Sequence, residues 1–113
     1  MDIESLIVQW LKSLGYAASS EVPKPRPGEF VTVERVGGQS AIGLDYPRVV
    51  IQCWSSSRAN AAKLAQDIDL AAEDLMSFSC SVSRVTRTSR LNWPDPDSGQ
   101  ARYQIVLDLV HSI

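Results

Sequence analysis

At 113 residues the chain suits a single domain, residues 1–113, with length enough to bury one core. Hydrophobic residues make up 44% and charged residues 21%, as in an ordinary globular domain, and the net charge of −2 excludes a general nucleic-acid coat. The opening MDIESLIVQW has acids where a signal peptide needs basic residues, and no apolar run approaches the roughly 18 residues of a membrane span, so neither standard export nor a membrane partner is expected.

Residues 3–14 form the first expected helix: Ile3, Leu6, Ile7, Trp10, Leu11 and Leu14 share one face, and Gly15 stands where a helix stops. So strong an apolar face belongs against a sheet. Tyr16 to Val22 reads as a short strand or an extended lead-in. PKPRPG, residues 23–28, alternates prolines that remove backbone donors, and reads as a stiff connector. FVTVERV, residues 30–36, is a strand ending at Gly37-Gly38. GGQSAIGLD, 37–45, shows no periodicity and reads as a flexible loop. It is not a phosphate loop, because no Gly-Lys-Ser/Thr follows.

Residues 45–75 organise the rest. Val49, Val50, Ile51, Cys53 and Trp54 are apolar at odd and even positions alike, as in a strand buried on both faces. Ser55, Ser56 and Ser57 can cap the helix that follows, with Ser57 as the N-cap. Over 57–76, Ala61, Leu64, Ala65, Ile68, Ala71, Ala72 and Leu75 fall on one helical face. The acids Asp67, Asp69, Glu73 and Asp74 are expected on a solvated face.

CSVSRVTRTSR, 80–90, reads as a polar strand in which Val82 and Val85 differ in parity, which signals a bulge or a frayed edge. Arg84, Arg87 and Arg90 form the basic cluster, either a contact for an acidic partner or phosphate, or an edge guarded by charge against stray pairing. NWPDPDSGQ, 92–100, is turn chemistry. As a calcium loop it fails, since the sixth and twelfth positions from Asp95 are Gln100 and Val106. Trp93 in this polar loop needs a cover, from its own chain or from a partner. Tyr103, Ile105, Leu107 and Leu109 alternate with Arg102, Gln104, Val106 and Asp108 in a last strand, and His111 lies where chains often fray.

These elements predict an α+β two-layer sandwich: a mixed, mostly antiparallel sheet of four or five strands with both helices, 3–14 and 57–76, on one face. Strands 30–36 and 47–54 should pair antiparallel, as should 80–90 and 101–111, and the long helix permits a parallel crossover. Cys53 and Cys80 read as two reduced core thiols. With a single histidine, His111, no zinc set forms, and no HExxH, CxxC, GxSxG or GxGxxG pattern occurs. Neither metal, cofactor nor enzymatic activity is expected.

The closing stretch NWPDPDSGQARYQIVLDLV, 92–110, resembles the tail-terminator proteins of long-tailed bacteriophages and prophages. Asn92, Pro94, Asp95, Asp97, Ser98, Gly99, Gln100, Arg102 and Tyr103 carry the likeness to a loop of the form N-x-P-D-x-x-S-G-x-x-R-Y. Asp45 and Pro47 before the central strand, the W-S-S-S turn with its alanine-rich helix at 54–72, and the opening helix followed by PKPRPGEFVTVERVGG extend it over nearly the whole chain.

The resemblance implies a structural virion protein without catalytic residues or cofactor, made in the host cytoplasm and resident in the virion tail. There it would cap the tail tube as a ring, typically a hexamer, and join it to the head-tail connector. Its partners would be copies of itself, the tube protein and the connector protein. Expected interface residues are Trp93, Asp95 and Asp97 on one patch, meeting the 37–45 loop or the Arg84, Arg87, Arg90 edge on the neighbour. Trp93→Ala should spare the fold and weaken assembly. The competing readings are another neck or tail-completion subunit, and a small ligand-binding α+β domain.

Overall fold

The structure, a computed structural model, describes residues 2–112. Helix α1, Ile3–Ser13, starts at Asp2, whose carboxylate accepts from the Ser5 amide at 2.9 Å. It ends in a Schellman turn: Tyr16 N donates to Leu11 O, Gly15 N donates to Lys12 O, and Gly15 takes φ +94°. Strands β1 (Ala18–Ser19), β2 (Phe30–Ala41) and β3 (Leu44–Ser55) follow. Helix α2, Arg58–Ala71, begins at the expected cap, with Ser57 Oγ accepting from Asn60 N at 3.2 Å. Helix α3 (Leu75–Phe78) and strands β4 (Val82–Asn92) and β5 (Ala101–Ser112) complete the chain.

The five strands form one mixed sheet in the order β1-β2-β3-β5-β4. β2 pairs antiparallel with β3 and β4 with β5, as expected, and β3 also pairs antiparallel with β5. β3 and β4 are therefore parallel, but β5 lies between them, so the crossover through α2 makes no parallel pair. The parallel contact comes from β1, where Ala18 faces Val31.

Both helices cover one face. Val31, Val33, Val49, Ile51, Cys53, Ile105, Leu107 and Leu109 share a core with Leu6, Ile7, Trp10 and Leu11 of α1 and Leu64, Ala65 and Ile68 of α2. The alanines Ala61 and Ala65 bury completely, so α2 lies close to the sheet. Leu64, Ile68 and Leu75 each contribute about 1.5–3 kcal/mol by leaving water.

Four expectations change. The helix expected over 57–76 tightens to a 3-10 turn at Ala72–Asp74 before α3. No basic residue stands in the last turn of α2, and Glu73 and Asp74 oppose the helix dipole there. Ala72 and Leu75 nevertheless stay buried, so the inner stripe survives the break. Residues 37–45 are not a loop but a hairpin, closed at Ile42-Gly43 with Gly43 at φ +76°. Gly38, at φ +105°, lies so close to Tyr46 O that a Cβ would stand 2.0 Å from it, so only glycine fits. Cys80 is an exposed turn residue ahead of β4 rather than a core thiol, whereas Cys53 is buried and burial pushes its thiol pKa up. His111 is buried in β5 rather than frayed.

Candidate assembly surface

The sheet has two unlike ends. At one, β4 runs into the 92–100 loop. Asp95 organises that loop, its carboxylate accepting from the amides of Asp97 and Ser98 and from Ser98 Oγ. The Ser98 hydroxyl, helped by those amides, holds the Asp95 carboxyl below the usual carboxylate range. Asp95 is thus buried as a loop organiser, while Asp97 stays exposed. Trp93 N donates to Arg102 O and Arg102 Nε to Trp93 O, which fixes the backbone beneath an indole ring that remains 53% exposed. The chain's own residues therefore leave Trp93 largely uncovered.

The PKPRPG segment meets this loop. Arg26 Nη1 donates to Ser98 Oγ and Gln100 Oε1, and lies 3.8 Å from Asp95. Its guanidinium also lies 5.4 Å from the Trp54 ring centroid, with that of Arg102 at 4.8 Å. Phe30 stacks on Trp54 at 5.1 Å. These residues make a second, small core on the outer face of the sheet. The sequence separation between Arg26, Trp54 and Arg102 hid it from pattern reading, and only the unbroken apolar parity of β3 hinted at it.

The three arginines of β4 do not act together. The strand is bulged between Val82 and Arg84 and again between Arg87 and Ser89, which accounts for the parity clash. Arg87 Nη1 donates to Asp69 O and Arg90 Nη1 to Asp69 Oδ2, so both fold back onto α2. Asp69 accordingly is not on a solvated face: its carboxylate is 15% exposed, and Oδ1 is buried without a partner. Arg84 is exposed and, among the described residues, has no ion pair or side-chain hydrogen bond.

At the opposite end the β2–β3 hairpin carries exposed Val36, Ile42 and Tyr46, with Ile42 wholly in solvent at the tip. Next to its turn, opposite Ser40, Asp45 is buried and accepts both terminal nitrogens of Arg35 and the Ser40 hydroxyl. Arg35 foremost lowers the Asp45 pKa. The rung Asp45↔His111↔Val82 ties the hairpin to β5 and β4. Beside it opens a cleft of about 500 Å³, lined by α1, the end of α3, the turn that follows it and the end of β5. His111 forms part of its wall, and its Nδ1 is buried without a partner.

Among the described residues no group of three or more His, Cys, Asp or Glu is placed to hold a metal ion, and no helix is long and apolar enough to cross a membrane. The chain matches no family model and no curated protein.

Proposed function

We propose that this chain is a structural subunit of a phage tail, a ring-forming terminator that caps the tail tube and joins it to the head connector. The observation that carries this reading is the pair of unlike ends, each offering apolar side chains that the chain itself leaves uncovered. Trp93 stands at one end, and Ile42 and Tyr46 at the other. A ring needs a heterologous contact, in which one surface meets a different surface on the neighbour. Two such ends on one brick provide the means. The resemblance of 92–103 to the terminator loop agrees with a loop whose Asp95 and Arg102 serve to present Trp93.

Negative-stain imaging and native mass spectrometry at high concentration, with and without tube protein, test the reading. Closed rings that seat on tube ends are the expected result. A chain that stays monomeric alone and with tubes removes it. The cleft beside His111 favours a second reading, a small ligand-binding domain, which a tightly bound metabolite co-purifying with the monomer would support.

A further inference from the structure

We propose that residues 22–29 form a strap over the outer face of the sheet, latched by the Arg26 guanidinium, and that its release uncovers a row of aromatic side chains beside Trp93. The strap is a property of the single chain and goes beyond the ring reading.

Strand register sets the row. Phe30 of β2 faces Trp54 of β3, and Trp54 faces Arg102 of β5. Trp93, just past β4, exchanges two hydrogen bonds with Arg102. Exposure along the row is uneven: Phe30, Trp54 and Arg102 are buried, whereas Trp93 is 53% exposed. With no helix on this side, a cover for the buried rings must come from a connecting segment. The strap supplies it, with the Arg26 guanidinium 5.4 Å from the Trp54 ring centroid.

Few bonds hold the strap down. Pro23, Pro25 and Pro27 have no N–H to donate, and among the described residues no backbone-to-backbone hydrogen bond joins 22–29 to the sheet. Glu29 accepts from Ser55 Oγ at 3.2 Å, where β2 begins. The other hydrogen bonds come from Arg26, whose Nη1 donates to Ser98 Oγ at 3.2 Å and to Gln100 Oε1 at 3.0 Å. Its side chain is 40% exposed, so solvent screens the 3.8 Å approach to Asp95.

The same two bonds tie down the tip of the 92–100 loop. Asp95 and Ser98 bond the tip to itself, and among the described residues Arg26 is its hydrogen-bonded link to another segment. The base of the loop is held separately, by Trp93 and Arg102. The loop is thus hinged at Trp93 and latched at its tip. Coupling through one group is reciprocal, so loosening either segment frees the other. A segment held by so few bonds, to a group that solvent reaches, opens locally without unfolding the core. Opening extends the exposed aromatic surface at this end from Trp93 to Trp54 and Phe30.

The latch is tested by NMR on the full-length chain. Gln100→Ala removes the shorter bond to Arg26 and no bond to Trp54. It should nevertheless raise solvent exchange of the Trp54 indole N–H, which donates to Thr32, by about threefold or more. The heteronuclear NOE at Lys24 and Gly28 should fall with it. Arg26→Lys keeps the charge but lacks the planar fork, and should open the strap as well. Amide exchange at Ile51 and Leu107 in the core, and at Trp93 in the hinge, should not change. Unchanged exchange at Trp54 in Gln100→Ala overturns the latch. A rise that Ile51 and Leu107 share in full is global unfolding and overturns it too. Loss of protection at the Trp93 amide equal to that at Gly99 overturns the hinge. None of these readings uses assembly, so the latch and the ring can fail separately.

Discussion

The two faces of the sheet are stabilised in different ways. The helix side is a continuous apolar core in which Val33, Val49, Ile51, Ile105, Leu107, Ile7, Leu11 and Ile68 have no solvent exposure. The outer side has no helix. Its apolar burial centres on Phe30 and Trp54 under two arginines, with Val50 and Thr32 also buried along the strands. Next to them runs a polar ladder, in which Trp54 Nε1 donates to Thr32 Oγ1, Thr32 to Gln52, and Gln52 to Gln104. Beyond the ladder the exposed Arg48–Asp108 pair forms two 2.8 Å bonds. One face stabilises through area removed from water, and the other through directed contacts that also tie loops to the sheet.

That contrast can be broken in graded steps. The largest effect is expected from Ile68→Asp, which puts a carboxylate into the sealed face and should abolish soluble expression; a well-folded variant would show that this face is not core. Next, Trp54→Ala empties the outer mini-core and frees the Arg26 loop. It should cost about 3–5 kcal/mol in chemical denaturation and speed amide exchange in residues 23–28 and 92–100.

Asp45→Asn, beside the hairpin turn, should cost about 1–3 kcal/mol, because Arg35 loses its ionised partner. The sign with pH follows from the lowered Asp45 pKa. A carboxylate with a depressed folded pKa stabilises fully above its unfolded value, and that contribution is lost as pH falls through the folded value. Thermal melts below about pH 4 should therefore bring the unaltered chain and this variant together. Curves that stay parallel into strong acid would mean that Asp45 carries no linked stability. The smallest effect is expected from Arg48→Ala, little or no loss of stability, since both partners of that pair are exposed; a clear loss in denaturant melts would mark the outer face as energetically closer to the helix face than its geometry suggests.

Periodicity made the helix face legible. The i, i+3, i+4 stripes of 3–14 and 57–76 and the alternation of 103–109 mark it directly, because burying one face of a regular element imposes the element's own period. The hairpin was missed because Gly37, Gly38 and Gly43 erase any hydrophobic pattern; the ladder between β2 and β3 is made by backbone groups, which carry no side-chain signature. Of the expected interface residues, Trp93 and Asp97 are exposed, Asp95 is an internal loop organiser, and Arg87 and Arg90 belong to Asp69, leaving Arg84 free of such partners among the described residues. Asp69 could not be assigned to Arg90 by spacing, since the pair joins a helix to an edge strand across a chain crossover.

Local chemistry written in the chain settled where its two long helices begin, which faces enter the main core, and that 92–100 is a built turn. Those outcomes depend on neighbours a few positions away, so the order of residues is sufficient to dictate them. The order of strands in the sheet, the Arg26–Trp54–Arg102 cluster, the burial of His111 and the separation of Trp93 from the cleft were decided only when distant segments packed. Each joins residues whose distance along the chain says nothing about their distance in space.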